Sequence, residues 1–318
     1  MLAAILGIMV NYKRSVAIGG YIAAALIASE IGLRILGFGH PIVYEATNSG
    51  YEARPNQTST RLGKTTHINA LGLRGPETTP LPATGVSRIL SVGDSVANGT
   101  ASVNDNQTYP ADLEADLNRT GHRVEALNAS AGGWAPENEL AWIKEHGIFG
   151  AKTVILEINE KDLDQPFVDK SILNKNPSFP SRYPVTALGE LTVRYLLPRL
   201  GIVKAEDPGS TNGAANVAAE GQTLQAVHDI NEIVKANGAR LVLMYWDPNY
   251  PYVHQSTLDT RKKLFQFAEA NNIVIVRPEI NARPDWKSYF NGRMHPNAAA
   301  NVLIAQLLAA SMSSRGLI

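Results

Sequence analysis

The sequence predicts an α/β chain built on a five-stranded parallel sheet, arranged as a flavodoxin-like three-layer α/β/α sandwich. Three observations carry that expectation. Short apolar runs recur near positions 90, 125, 155, 242 and 275. Stretches with helical periodicity lie between them. The runs end in glycines or polar residues, and regular alternation of strand and helix argues a parallel sheet covered on both faces.

Composition narrows the function classes. The 318 residues are 44% hydrophobic, ample for a core. Lys+Arg and Asp+Glu are equal at 29 each, so no global charge points to nucleic acid. The absence of cysteine excludes a disulfide framework, thiol catalysis and cysteine-ligated metal. Asp162 and Asp164 have no histidine nearby and are not read as a metal site. No cofactor is expected.

The chain divides into three parts. Residues 1–40 hold an apolar run from Ser15 to Leu36, preceded by Lys13 and Arg14 and interrupted at Glu30. This reads as an uncleaved signal anchor, with the basic flank inside and the bulk outside. Cleavage after small residues at Ala23 to Ala25 or Ala28-Ser29 is the alternative, as is a buried helix, and Met9 is a possible natural start. Glu30 and Arg34 are spaced to pair on a helix. Residues 41–86, rich in Gly, Pro, Asn and Thr, read as a stalk with an edge addition at His67 to Gly75.

Residues 87–318 form the main domain. Ile89 to Val92 is the first buried strand. Tyr109 to Asn118 is an amphipathic helix, with Leu113 and Leu117 four apart. Arg123 to Leu127 is a strand, Pro136 to His146 a helix, and Thr153 to Ile158 a strand interrupted by Glu157. Residues 164–222 are broken by prolines, including Pro208, with low complexity at Gly209 to Gly213 and a short helix at Leu188 to Leu197. They read as an insertion over the site. Alternation resumes with a helix at Thr223 to Ala236 and a strand at Arg240 to Tyr245 ending in Trp246-Asp247-Pro248. A helix at Leu258 to Ala270, a strand at Ile273 to Val276 and a helix at Asn297 to Ser311 complete it.

Chemistry-bearing residues sit at the ends of these elements. Ser95 follows the first strand, where open α/β sheets bind ligands. Gly132-Gly133 and Asn159 follow two further strands, and His295-Pro296-Asn297 precedes the last helix. In a parallel sheet these ends share one edge, so the four sites converge. Asp94 reads as a brace for the turn. Trp134 reads equally as pocket wall or core.

These blocks resemble the SGNH subgroup of GDSL hydrolases over about Arg88 to Ser311: Gly93-Asp94-Ser95, Asn128 to Gly133, Asn159, and His295-Pro296-Asn297. The resemblance implies the SGNH hydrolase fold and a serine esterase. Ser95 would be the nucleophile and His295 its base. The oxyanion hole would be made by the N–H groups of Ser95 and Gly133 and the amide of Asn159. Two positions depart from the family. Glu157-Ile158-Asn159-Glu160 replaces the usual Gly-x-Asn-Asp, and Gly292 stands where the triad acid usually precedes the histidine. A Ser–His dyad oriented by a backbone carbonyl, Asn291 in a longer loop, or Asp285 all remain open as the orienting element.

The expected substrate is a small-molecule or glycan ester, with acetyl on a carbohydrate as the leading case. An O-acyltransferase acting on envelope polysaccharide and a non-catalytic glycan-binding protein are the rivals. The expected location is the inner membrane with the main domain in the periplasm or outside the cell, or secretion after cleavage.

Overall fold

The computed structural model describes residues 2–203, 213–247, 255–292 and 294–318. Side chains are described at 14–203, 219, 221–247, 257–292 and 294–318. The expectations at Pro208, Gly209 and Pro248, and those on the side chains of Met9 and Lys13, lie outside the described residues.

In chain order the elements are α1 (Leu2–Ile35), β1 (Tyr44–Thr47), β2 (Gly50–Ala53), β3 (Gln57–Arg61), β4 (Lys64–Ile68) and β5 (Ser87–Gly93). Next come α2 (Ser95–Asn98), α3 (Tyr109–Arg119), β6 (Val124–Ser130), α4 (Pro136–His146) and β7 (Thr153–Asn159). They are followed by α5 (Ala187–Leu191), α6 (Leu197–Arg199), α7 (Gly213–Ala236), β8 (Arg240–Trp246), α8 (Gln255–Ala270) and β9 (Val274–Val276). The hairpin β10 (Phe290–Asn291) and β11 (His295–Pro296) then leads into α9 (Ala298–Ser314). The chain forms two compact units: Met1–Pro41 with Thr60–Gly63 and Arg182–Lys204, and Ile42–Ser59 with Lys64–Ser181 and Ala205–Ile318.

The larger unit carries the sheet, in the order β6-β5-β7-β8-β9 with every pairing parallel. Numbered along the sheet strands alone, that order is 2-1-3-4-5, the flavodoxin-like arrangement. β7 is buried at every position and β5 at all but its first, as expected of strands covered on both faces. Alternate residues feed opposite layers. Leu90, Val92, Leu156 and Ile158 pack with Trp142 of α4, Ile230 of α7 and Leu264 of α8. Ile89, Ile155, Val242 and Met244 pack with Leu113 of α3 and Ile304 of α9. Arg88, the second residue of β5, is fully buried and bonded to Glu125 Oε2, opposite it on β6, at 2.7 Å and to the Phe149 carbonyl at 2.8 Å.

The stretch expected to be a stalk is largely structured. β1 and β2 pair antiparallel, with Ala46 opposite Tyr51. Tyr51, Ile68 and Leu73 are buried. α7 begins ten residues ahead of the expected Thr223, because an alanine-rich stretch extends the helix N-terminally.

In the smaller unit, Arg14–Ile35 of α1 is a 22-residue stretch of mean hydropathy 1.8 with none of it buried. That is long and apolar enough to cross a membrane. Within this unit α5, a π turn at Thr192–Leu196 and α6 follow one another directly.

Candidate active site

The turn after β5 is built around a close approach. A Cβ on Gly93 would lie 2.8 Å from Glu157 Cβ and 2.9 Å from Ala97 Cβ, so only glycine lets β5, β7 and α2 meet there. Asp94 then caps α2, its Oδ1 accepting the Val96 N–H at 2.7 Å. Ser95 opens the helix, where its own N–H has no intrahelical acceptor. Its hydroxyl donates to Asp94 Oδ2 at 3.2 Å, and His295 Nε2 lies 3.0 Å from the same Oγ. Turning the O–H bond from Asp94 toward Nε2 places the proton on the imidazole lone pair. Arg74 steadies the loop beyond α2 by donating to the carbonyls of Thr100 (2.7 Å), Val103 (2.8 Å) and Asn98.

His295 is held from three sides. It faces Asn291 across the β10–β11 hairpin. The carbonyl before it, on Met294, accepts from Trp246 Nε1 at 2.8 Å. Just after it, Asn297 caps α9 through the N–H groups of Ala299 and Ala300. Burial pushes the imidazole pKa below its usual value, against the Asp94 charge, which favours the protonated form. Burial thus favours the neutral ring, the form a base needs. Of the residues considered for orienting it, Asn291 sits opposite it in register, whereas Asp285 is 56% exposed and paired with Arg283 at 3.3 Å. Gly292 turns the hairpin at φ 74°.

Asn159 ends β7 as far beyond the Val92–Leu156 pair as Ser95 lies beyond it on β5. Its side chain is fully buried. Oδ1 accepts the Lys161 N–H at 2.9 Å, and its backbone N–H donates to Asp162 Oδ2 at 2.8 Å. Nδ2 has no partner. A fully buried amide donor left without an acceptor at the carboxyl end of a strand is uncommon.

Gly133 has φ 78°. Its carbonyl accepts from Gln165 Nε2 at 2.8 Å, and the Gly132 carbonyl accepts from the Tyr51 hydroxyl at 2.7 Å. The Tyr51 bond orients the Gly132–Gly133 peptide, which carries the Gly133 N–H, and the Gln165 bond holds the peptide that follows. A Cβ on Gly132 would lie 3.8 Å from both Ser95 Cβ and the Phe179 ring. Tyr51, Gln165 and Arg74 escaped sequence reading because they act on partners far along the chain and carry no local motif. Trp134 is core: it is buried and donates to the Tyr51 carbonyl at 2.9 Å.

Beneath the turn lies a group of acids. Glu157, Glu139 and Asp162 are buried, and burial, reinforced by one another's charges and by Asp94, pushes all three carboxyls well up. Glu137 is pushed up to about 7 by burial. Glu157 accepts the Asp94 N–H at 3.2 Å, and burial together with the Asp94 charge pushes its carboxyl well up. Among the described residues, one group brings metal-type donor atoms within 4.8 Å of one another: Glu52, Glu145 and His146, in which His146 Nε2 already pairs with Glu52 at 3.1 Å.

The described architecture is a three-layer α/β/α sandwich with a serine–histidine pair at the carboxyl edge of its sheet. No protein-family model and no curated protein matches the chain. Solved structures it is similar to include TesA, with 14% identity, covering 73% of this chain and all of that one (TM-score 0.47). A GDSL-like lipase from Bacteroides thetaiotaomicron is 13% identical, covering 74% of this chain and 91% of that one (TM-score 0.43). A lipase/acylhydrolase from Enterococcus faecalis is 14% identical, covering 72% and 96% (TM-score 0.45). At such identity the site rests on its own geometry.

Proposed function

We propose that the chain is a membrane-anchored serine esterase working through Ser95 and His295. The observation that carries this reading is the 3.0 Å approach of His295 Nε2 to Ser95 Oγ, and the buried, unpaired amide at the carboxyl end of β7 on Asn159 supports it. Ser95 Oγ attacks the acyl carbon while His295 takes its proton. The oxyanion is met by the N–H groups of Ser95 and Gly133 and by Asn159 Nδ2. His295 then returns the proton to the leaving alcohol, and water repeats the sequence to release the acid. Asp94 supplies the nearby negative charge that favours the imidazolium, which supports a dyad in place of a triad. The Phe179 ring beside Gly132 limits depth next to the serine, which favours a short acyl group such as acetyl on a carbohydrate. The anchor is Arg14–Ile35, with the sheet-bearing unit on the periplasmic or outer side.

The test is turnover of p-nitrophenyl acetate and longer p-nitrophenyl esters by the full chain in detergent, beside Ser95→Ala. Serine-dependent release that falls with chain length is expected. Equal rates in both proteins would overturn the reading. Product analysis with an acetylated glycan separates release of free acid from transfer to a second sugar.

A further inference from the structure

Beyond α1, exposed large hydrophobic side chains are concentrated in one place. Among the described residues, eleven such side chains lie after Ile35, and eight of them belong to the smaller unit. Val185, Leu200 and Ile202 are 92%, 61% and 66% exposed, and Val193 and Leu196 are about half exposed. Val193, Leu196 and Leu200 recur at i, i+3 and i+7, the spacing of one helix face. A water-facing surface rarely gathers so many in so short a segment.

The same segment leaves little of its backbone needing water. α5 begins with four N–H groups that no helix can satisfy internally. Glu30 of α1 accepts two of them, Ala187 at 2.8 Å and Leu188 at 2.9 Å. Thr186 accepts a third, Gly189, through its hydroxyl at 2.9 Å, and the next N–H, of Glu190, makes the first helical bond to the Thr186 carbonyl at 3.1 Å. Arg34 pairs with Glu30 at 2.7 Å and reaches the Val185 carbonyl at 3.2 Å. Glu190, the one acid of the segment, is taken up by Arg61 and by the Gly39 N–H at 2.6 Å. Arg182, Arg194 and Arg199 leave the segment net positive.

Glu30 also fixes a depth. It lies sixteen residues beyond Arg14, about 24 Å along the helix, and Arg34 lies about 30 Å along. The hydrocarbon core of a bilayer is about 30 Å thick. A segment bonded to Glu30 and Arg34 therefore meets the boundary of the bilayer that α1 spans.

We propose that residues 182–203 lie on the lipid, in the membrane–water interface at the Glu30 end of α1. The apolar side chains from Val185 to Ile202 sit among headgroups and upper acyl chains, and the arginines sit at phosphate level. The occupant of this surface is a phospholipid bilayer. The inference rests on reading α1 as a membrane span.

The chain has no cysteine, so single labels are clean. Leu200→Cys and Ile202→Cys are labelled with an environment-sensitive fluorophore in the full chain, reconstituted in phosphatidylcholine–phosphatidylglycerol vesicles. Leu26→Cys reports the span and Val302→Cys, on α9, reports water. Labels at 200 and 202 are expected to be quenched by a shallow nitroxide lipid and shielded several-fold from iodide relative to 302. If the label at 26 is quenched by a deep nitroxide lipid while those at 200 and 202 meet iodide like 302, the span stands and the proposal fails. Shielding from iodide without lipid quenching means a protein contact and also overturns it. If the label at 26 is not quenched, the span reading fails and takes the proposal with it.

Discussion

Replacing Asn159 with alanine should separate activity from stability. The side chain does two things that differ in sign. Oδ1 caps the Lys161 N–H at 2.9 Å, and losing such a cap costs about 1 kcal/mol. Nδ2 is buried without an acceptor, and an unpaired buried polar group costs about 1–3 kcal/mol. Its removal offsets the lost cap or exceeds it, so net stability should be unchanged or rise by up to about 2 kcal/mol. If Nδ2 meets the oxyanion, its loss should lower kcat by about 10²–10³ with little change in KM. The measurements are steady-state kinetics on p-nitrophenyl acetate and urea unfolding followed by tryptophan fluorescence, both on the full chain. A kcat within a few-fold of the parent in a folded protein would refute the oxyanion role. Activity and stability falling together would show that Asn159 only holds the turn.

Three further outcomes follow from the geometry. Burial depresses the His295 pKa, so the neutral base persists to lower pH and the acid limb of kcat/KM should have its midpoint below about 6.5; a midpoint above 7 would contradict the buried base. Glu137, raised to about 7, keeps its proton in the native state where the unfolded chain has lost it. Its contribution is full below about 4.5 and lost as pH rises through 7, so Glu137→Gln should stabilise the protein at pH 8 by up to about 3 kcal/mol and flatten the pH dependence of urea unfolding. Arg88→Ala leaves the Phe149 and Pro80 carbonyls and Glu125 without their partner; a loss of about 3–5 kcal/mol is expected in denaturant midpoint, and a change under 1 would show the pair to be dispensable.

The sheet was readable because its central strands are covered on both faces, and continuous burial leaves continuous apolar runs at Ile89 to Val92 and Thr153 to Ile158. Ser95, Asn159 and His295 were readable because turns and caps are local chemistry, written in neighbouring residues. What supports them was not. Tyr51 reaches Gly132 across 81 positions, and its own stretch looks like loop composition. Glu157 looked like a flaw in a strand; only the packed sheet reveals that it lies against Gly93 and that burial pushes its carboxyl well up. The stretch 182–203 was legible as an insertion, but not as a partner of α1, since the bonds from Ala187 and Leu188 to Glu30 span more than 150 positions.

The tethered carbonyls of Gly132 and Gly133, in two successive peptides, set a limit on how the molecule can be shortened. The Tyr51 hydroxyl enters from a hairpin upstream of the whole sheet, so a fragment trimmed to begin near Arg74 would retain every strand of the sandwich, the serine and the histidine. It would lose the strut on the peptide that carries the Gly133 N–H and keep only the Gln165 bond to the peptide after it. Such a fragment can be soluble, folded and correctly titrating and still be a poor catalyst, and its silence toward an ester would describe the cut rather than the enzyme.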